Sequence, residues 1–226
     1  SIASTVRANP SAGFSIVSFT GNNTEDATVG HGLNATPEFV IQKGRTIANY
    51  WAVYHAGDPA TPHTRLNQTN AGTTVSNYWK SFSNTVMTLP DGGTTLNNVN
   101  NNGEDYIAYC FAPVEGFSAM GSYVGNGSND GSFVYTGFAV KWLLTKASSA
   151  GSDWQIWDVS RQPYNVNANT LTPNSSAAES GTSGYAVDLL SNGFKFRLYG
   201  SSSNASGVTY IYYALAEHPF KNSRAR

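Results

Sequence analysis

Charge is what this sequence has least of. Only 12% of its 226 residues are Asp, Glu, Lys or Arg, against roughly 25% in an ordinary soluble domain. Its 13 basic and 14 acidic residues leave a net charge of −1. No basic stripe exists to neutralise a run of phosphates, which argues against nucleic acid as a partner. Apolar runs such as Tyr210 to Ala216 fall far short of the ~20 residues a membrane helix needs, so no membrane insertion is expected. The single cysteine, Cys110, forms no internal disulfide and completes no cysteine zinc site. Within Tyr106-Ile107-Ala108-Tyr109-Cys110-Phe111-Ala112 it reads as a small apolar strand residue, with no base nearby to make it a nucleophile. The chain opens on Ser1 without a signal peptide, and the expectation is a fragment of a longer protein. No cofactor motif is present.

Asn, Ser, Thr and Gly take the place of the missing charges, and aromatic residues reach 13% (13 Tyr, 11 Phe, 5 Trp). Aromatics with uncharged polar residues suit half-buried strands joined by polar turns. They suit neither charged surface helices nor disorder. The length accommodates one large β domain or two small ones.

Self-similarity decides between these. Gly13-Phe14-Ser15 returns as Gly116-Phe117-Ser118, and Phe19-Thr20-Gly21-Asn22 as Tyr123-Val124-Gly125-Asn126. Phe39-Val40-Ile41-Gln42-Lys43 returns as Trp142-Leu143-Leu144-Thr145-Lys146, and Trp51-Ala52-Val53-Tyr54 as Trp154-Gln155-Ile156-Trp157. Tyr106-Ile107-Ala108-Tyr109 returns as Tyr210-Ile211-Tyr212-Tyr213. The order is kept and the offset is 103 (13 to 116) or 104 (106 to 210) throughout, which means duplication. The predicted organisation is an N-terminal lead-in at 1–12, a β unit at 13–115 and its duplicate at 116–226.

Phe194-Lys195-Phe196-Arg197-Leu198 alternates as a half-buried strand does, whereas Thr209 to Ala216 is apolar on both faces and belongs between two layers. Gly21-Asn22-Asn23, Pro90-Asp91-Gly92-Gly93, Gly125-Asn126-Gly127 and Ser191-Asn192-Gly193 mark turns. Six or seven strands per unit predict an all-β protein of two tandem sandwich-like or jelly-roll-like units packed together. The best helical candidate is Ser175 to Ser180. Polar stretches at 57–75 and 160–184 read as long loops at one end. The short junction Pro113 to Gly116 predicts rigid side-by-side packing.

No catalytic set stands out. Glu25-Asp26 and Glu104-Asp105 are adjacent, but strand neighbours point to opposite faces, so both pairs read as solvated. A glycosidase could still assemble Asp153, Asp158 or Glu179 across strands. Of the four histidines, His31 lies between Gly30 and Gly32 as a turn residue, and His55 aligns with Asp158 as a surface polar position; His63 and His218 complete the set. No metalloprotease spacing or nucleophile elbow occurs. The loop Gly125 to Gly131 is rich in oxygen but has one carboxylate, its counterpart Gly21 to Asp26 has two, and both read as hairpin turns rather than calcium sites. No metal is expected.

Sugars are held by an aromatic ring stacked on their C–H face with amides and hydroxyls around it. Trp51, Trp79, Trp154, Trp157, Tyr78 and Tyr164 lie near the polar loops. Trp51 and Trp154 are equivalent in the repeat and read as core. Tyr78 and Trp79, in Ser76-Asn77-Tyr78-Trp79-Lys80, have no counterpart in the second unit and are candidate ligand contacts together with Tyr164.

Gly13-Phe14-Ser15-Ile16-Val17, Val29-Gly30-His31-Gly32-Leu33, Pro37-Glu38-Phe39-Val40-Ile41 and Glu115-Gly116-Phe117-Ser118, followed by Gly121-Ser122-Tyr123, Phe133-Val134-Tyr135-Thr136-Gly137-Phe138 and Ala216 to Arg226, resemble a duplicated β domain of tail-fibre and other virion-appendage proteins of tailed bacteriophages. The resemblance runs from about residue 7 onward. It implies a place on the virion surface, outside the cell, and other virion proteins as partners. A host-surface glycan or receptor is the expected ligand. The alternatives are a purely structural capsid-decoration or fibre-assembly protein and a polysaccharide depolymerase. Low surface charge is compatible with a homo-oligomer.

Overall fold

The computed structural model describes residues 1–58, 64–72, 78–90, 99–181 and 183–218. His63, Ser76-Asn77, the Asp91-Gly92-Gly93 turn and the last eight residues of the C-terminal segment lie outside the described residues.

The fold is all-β, built from antiparallel sheets. Two compact units divide the chain: Ser1–Leu66 with Gly72–Pro113, and Asn67–Ala71 with Val114–Arg226. In unit 1 a six-stranded sheet runs β1 (Ser4–Asn9), β2 (Phe14–Thr20), β9 (Asp105–Phe111), β4 (Phe39–Gly44), β5 (Ala52–His55), β6 (Thr64–Arg65). A smaller sheet, β3 (Thr28–Gly30), β8 (Val86–Thr88), β7 (Ser81–Phe82), supplies the second layer. In unit 2 the large sheet is β10 (Ser118–Val124), β16 (Thr209–Ala216), β12 (Val140–Ala147), β13 (Gln155–Asp158). The small one is β11 (Phe133–Tyr135), β15 (Gly193–Phe196), β14 (Val187–Leu190).

The duplication extends to the pairing register. Phe14 faces Phe111 in unit 1, and Ser118 faces Leu215 in unit 2, each partner displaced by 104 (14 to 118, 111 to 215). Phe39 opposite His55 becomes Trp142 opposite Asp158, each displaced by 103. The small sheets correspond as well: Thr28 opposite Thr88 becomes Phe133 opposite Lys195. A one-residue slip would turn every side chain to the wrong face, so two independent halves would not share a register by accident.

Each core lies between its two sheets. Val17, Phe19, Val40, Tyr106, Ala108 and Cys110 meet Val29 and Met87 in unit 1. Tyr123, Leu143, Trp157, Tyr210 and Ala214 meet Val134, Val187, Phe194 and Phe196 in unit 2. The same stacked ring pair recurs, Phe19 on Tyr106 at 5.3 Å and Tyr123 on Tyr210 at 5.1 Å. Such offset pairs add about 0.5–1.5 kcal/mol to the burial of their area.

A second repeated device connects the layers. Asn100 and Asn204 are fully buried and sit just before β9 and β16. The Asn100 amide donates to Thr24 O at 3.1 Å and Pro90 O at 2.9 Å, and its Oδ1 accepts from Asn22 N at 3.1 Å. The Asn204 amide donates to Asn126 Oδ1 at 3.0 Å and Ser128 O at 2.9 Å, and accepts from Asn126 N at 3.0 Å. The chain passes so close here that a Cβ on Gly21 would lie 2.3 Å from Asn101 O, and one on Gly125 2.2 Å from Ala205 O. That is why Gly-Asn recurs in both copies: glycine permits the approach, and the asparagine side chain accepts from the N–H two residues on, at Thr24 and Ser128.

Several expectations are corrected. Ser175 to Ser180 is not helical; among the described residues only two one-turn 3₁₀ segments occur, at Pro10–Ala12 and Ser183–Tyr185. Segments 21–26 and 125–131 are not hairpins, because each passes from a large sheet to a small one. The 1–12 lead-in contributes β1, which pairs along all of its length with β2. The stretch 160–184 is more than a loop: Leu171 bridges Ile156 on β13, and Asn167 bridges Val187 on β14. It thereby occupies backbone groups that would otherwise make two open sheet edges.

Replacing Asn204 with Ala removes three hydrogen bonds made from a fully buried side chain and leaves a cavity where the amide stood. The expected outcome is a loss of about 2–4 kcal/mol in urea denaturation, with Asn126→Ala, at the exposed end of the same network, costing less.

Candidate functional site

Tyr78 and Trp79 do not face solvent. They are 1% and 4% exposed and belong to the unit 1 core, so the expectation of an exposed contact pair is corrected. Trp79 packs edge-on against Tyr54 at 6.2 Å and beside Phe82 at 6.0 Å, and the Tyr78 hydroxyl accepts from Arg65 Nη2 at 3.4 Å. A hydrophobic pair without a repeat counterpart is here a filling of unit 1's own core. Trp154 and Trp157 are buried, the latter donating from Nε1 to Tyr185 O at 2.8 Å, while Trp51 is half-buried. Tyr164 stands 82% exposed.

The carboxylates singled out in the sequence are engaged by cations, hydroxyls or an amide. Arg161 joins two of the three glycosidase candidates, reaching Asp158 Oδ2 from Nε at 2.6 Å and Glu179 Oε2 from Nη1 at 2.7 Å. Burial raises the Asp158 carboxyl, but the hydrogen bonds and charge of Arg161 outweigh it and leave the group below its ordinary range. A general acid for glycoside cleavage needs the opposite shift. Asp153 accepts from Asn174 Nδ2 at 2.7 Å. Glu25 and Asp26 are solvated as expected, their side chains 60% and 68% exposed, but they do not diverge: both reach Lys80, with Asp26 in a left-handed turn (φ 58°) rather than a strand. In the 125–131 loop, Asp130 turns to Lys195 at 2.6 Å, which holds its carboxyl below the usual range. Among the described residues no group of three or more His, Cys, Asp or Glu converges on a possible metal position.

Two histidines are buried rather than superficial. His31 is fully enclosed: Nδ1 accepts from Leu33 N at 3.3 Å, which places the proton on Nε2, where it is donated to Ser83 O at 3.1 Å. His55 is 3% exposed, its Nδ1 accepting from Gly57 N at 3.0 Å and its ring lying edge-on to Phe39. It does align with Asp158, but as a buried position.

The exposed aromatics mark the candidate site. Among the described residues every exposed large apolar side chain belongs to unit 2: Val124, Phe133, Tyr135, Tyr164, Val166, Leu171 and Tyr199. Phe133 and Tyr135 lie on one outward face of β11, 48% and 68% exposed, with Val134 between them turned into the core. Glycine makes room for them: the Phe133 ring lies 3.1 Å from where a Cβ on Gly193 would be, and the Tyr135 ring lies beside Gly137. Neither ring has a ring partner among the described residues. Cross-strand from Phe133 is Lys195, held to Asp130, and Arg197 is held to Asp188 at 3.1 Å. At the far edge of the same small sheet, Asn165 clamps the Leu189 backbone (Nδ2 to O 2.9 Å, N to Oδ1 3.0 Å) and so places its neighbour Tyr164 along β14. Tyr199 follows β15, its N donating to Asn129 Oδ1. The small sheet of unit 2 thus carries the exposed Phe133 and Tyr135 on the same face as paired charges, with Tyr164 and Tyr199 exposed in the segments that adjoin it.

A family described as a domain of unknown function (DUF7483) matches residues 1–219. The chain belongs to the DUF7483 family. No curated protein and no solved structure matches it. Within this DUF7483 chain the repeat itself points to the site. The positions of Phe133 and Tyr135 are held in unit 1 by Thr28 and Gly30, and that of Lys195 by Thr88. The same scaffold folds without the rings, so folding does not require them.

Two measurements check the buried groups. Burial pushes the Cys110 thiol up to about 12, with the Ser15 hydroxyl opposing; a thiol reagent at pH 8 is expected to label it only after denaturation. Burial also lowers His31 below its ordinary 6.5, against the raising effect of the Ser83 carbonyl. The unfolded chain therefore takes up this proton first, so the His31 contribution is flat above pH 6.5 and stability falls as pH drops below it. The urea midpoint should be lower at pH 5 than at pH 7, and His31→Gln should narrow the gap.

Proposed function

We propose that this chain is a virion-appendage domain of the tail-fibre type, which binds a host-surface glycan through the small sheet of unit 2. The observation that carries the reading is the outward pair Phe133 and Tyr135, present in one copy of the repeat and absent from the other. Two residues apart on a strand, their Cα atoms lie about 6.6 Å apart and both side chains leave the same face. Each offers an apolar plane to the C–H face of a sugar ring. The charged side chains beside them are already paired, so they present hydrogen-bonding edges without a strong field, which suits a neutral polyhydroxylated ligand. The location on a virion rests on the resemblance to phage appendage domains and is supported by the low charge and the uncharged polar loops.

Glycan-array screening followed by titration tests the reading. Phe133→Ala and Tyr135→Ala are each expected to weaken binding about fivefold or more without lowering the melting temperature. Tyr78→Ala and Trp79→Ala should instead destabilise unit 1 by about 3–5 kcal/mol, as large core truncations do. No binding to any host glycan, together with tight incorporation into a fibre or capsid lattice, would move the assignment to a structural virion protein. Release of reducing ends from host polysaccharide would make it a depolymerase.

A further inference from the structure

On unit 1, the sheet face turned away from the core carries a polar cleft of about 280 Å³, walled by β1 and the ends of β2, β4 and β9. Thr5 and Ser18 face each other across β1 and β2, and Thr20 pairs with Asp105 across β2 and β9. Arg45 follows β4 and donates its backbone N–H to Asp105 O at 2.7 Å. The main-chain positions are therefore fixed by the sheet. The polar side-chain groups are not all satisfied by it. Asp105 Oδ1 accepts from Thr20 Oγ1 at 2.8 Å, but Oδ2, the Arg45 guanidinium and the hydroxyls of Thr5 and Ser18 have no partner among the described residues.

Unit 2 shows that the fold does not require these groups. Where unit 1 has Thr20 opposite Asp105, unit 2 has Val124 opposite Thr209. The position of Arg45 is taken by Ser148 (45 to 148, offset 103), and among the described residues no strand pairs with β10 in the place of β1. The wall and both charges are additions to the common scaffold.

We propose that this cleft binds a single neutral sugar residue through a pair of adjacent hydroxyls. One hydroxyl donates to Asp105 Oδ2 and its neighbour accepts from the Arg45 guanidinium, both charge-assisted bonds; Thr5 and Ser18 serve the remaining edge. The volume lies just under the ~300–1,000 Å³ of pockets for drug-sized ligands, which limits the occupant to about one ring. An anionic ligand is disfavoured, because the lone guanidinium sits beside Asp105 and the neighbouring Glu104, which Thr46 Oγ1 engages. The inference stands on unit 1 alone and does not depend on the glycan reading of unit 2.

The test is amide chemical-shift mapping of the full chain, titrated separately with the methyl pyranosides of glucose, mannose and galactose and with glucuronate. At least one neutral pyranoside is expected to shift the amides around Arg45 and Asp105 at millimolar concentration. Arg45→Gln and Asp105→Asn should each weaken that response tenfold or more with unchanged melting temperature, and Phe133→Ala in unit 2 should leave it intact. The proposal is overturned if none of the neutral sugars shifts these amides, if the shifts survive Arg45→Gln, or if glucuronate binds more tightly than the neutral sugars. Loss of array binding on Phe133→Ala reports on unit 2 only, so the two sites fail or stand separately.

Discussion

One buried amide in each unit joins the two layers of the sandwich. Asn100 and Asn204 sit at the entry to the strand that occupies the centre of each large sheet, and they grip the segment that departs for the small sheet. A fully buried amide must fill its hydrogen bonds or cost several kcal/mol, so the crossing segment has one acceptable path. The tyrosine that follows reinforces it: the hydroxyls of Tyr106 and Tyr210 each accept from a main-chain N–H, of Asn101 and Ala205, at 2.9 Å. With the crossing fixed, the small sheet is fixed, and with it whatever its outer face carries.

The same preference for neutral hydrogen bonds explains the composition. One lysine position, shared by both copies of the repeat, is held by neutral oxygens rather than by carboxylates. Lys43 Nζ donates to Gly44 O at 2.7 Å and to Asn49 Oδ1 at 2.7 Å, and burial lowers its ammonium below the ordinary range. Its counterpart Lys146, wholly enclosed, donates to Ala147 O at 2.8 Å and Thr69 O at 3.3 Å. Lysine fills this role because its aliphatic stem packs as an apolar residue while three donors at the tip satisfy carbonyls. A fold stitched by amides, hydroxyls and carbonyls has little use for surface ion pairs, which contribute about 0–1 kcal/mol each.

What was legible in the sequence follows from the range of the determining forces. Strand class, the duplication and the inward face of Phe194 and Phe196 depend on short periodic patterns, and these stand in the structure. Tyr78 and Trp79 are not legible in the same way: lack of a repeat partner suggests exposure, whereas the burial of Trp79 depends on Tyr54, brought to it from β5. Phe133-Val134-Tyr135 was unreadable for a related reason. All three residues are apolar, so alternation says that one set faces inward without saying which. The decision comes from Phe194, which lies opposite Val134 at 0% exposure and commits that row to the core. Likewise the buried state of His55 depends on its position opposite Phe39, sixteen residues away (39 to 55).

Duplication supplies an internal control that a single domain lacks. Where both copies agree, as in the stacked pair, the glycine approach and the amide grip, the residue serves folding, because two otherwise diverged sequences both retain it. Where they disagree while the register is unchanged, folding does not specify the side chain. Applied to the surface, this criterion separates Phe133 and Tyr135, which replace Thr28 and Gly30, from the many aromatics that merely fill the cores. Applied to the polar residues, it separates Arg45 and Asp105 from Asn100 and Asn204, although all four are hydrogen-bonding groups near strand ends. Burial sorts them the same way: the shared pair is enclosed and satisfied, while the unshared pair opens to solvent with donors and an acceptor in reserve. Two criteria of different origin, one from sequence divergence and one from hydrogen-bond satisfaction, thus select the same residues.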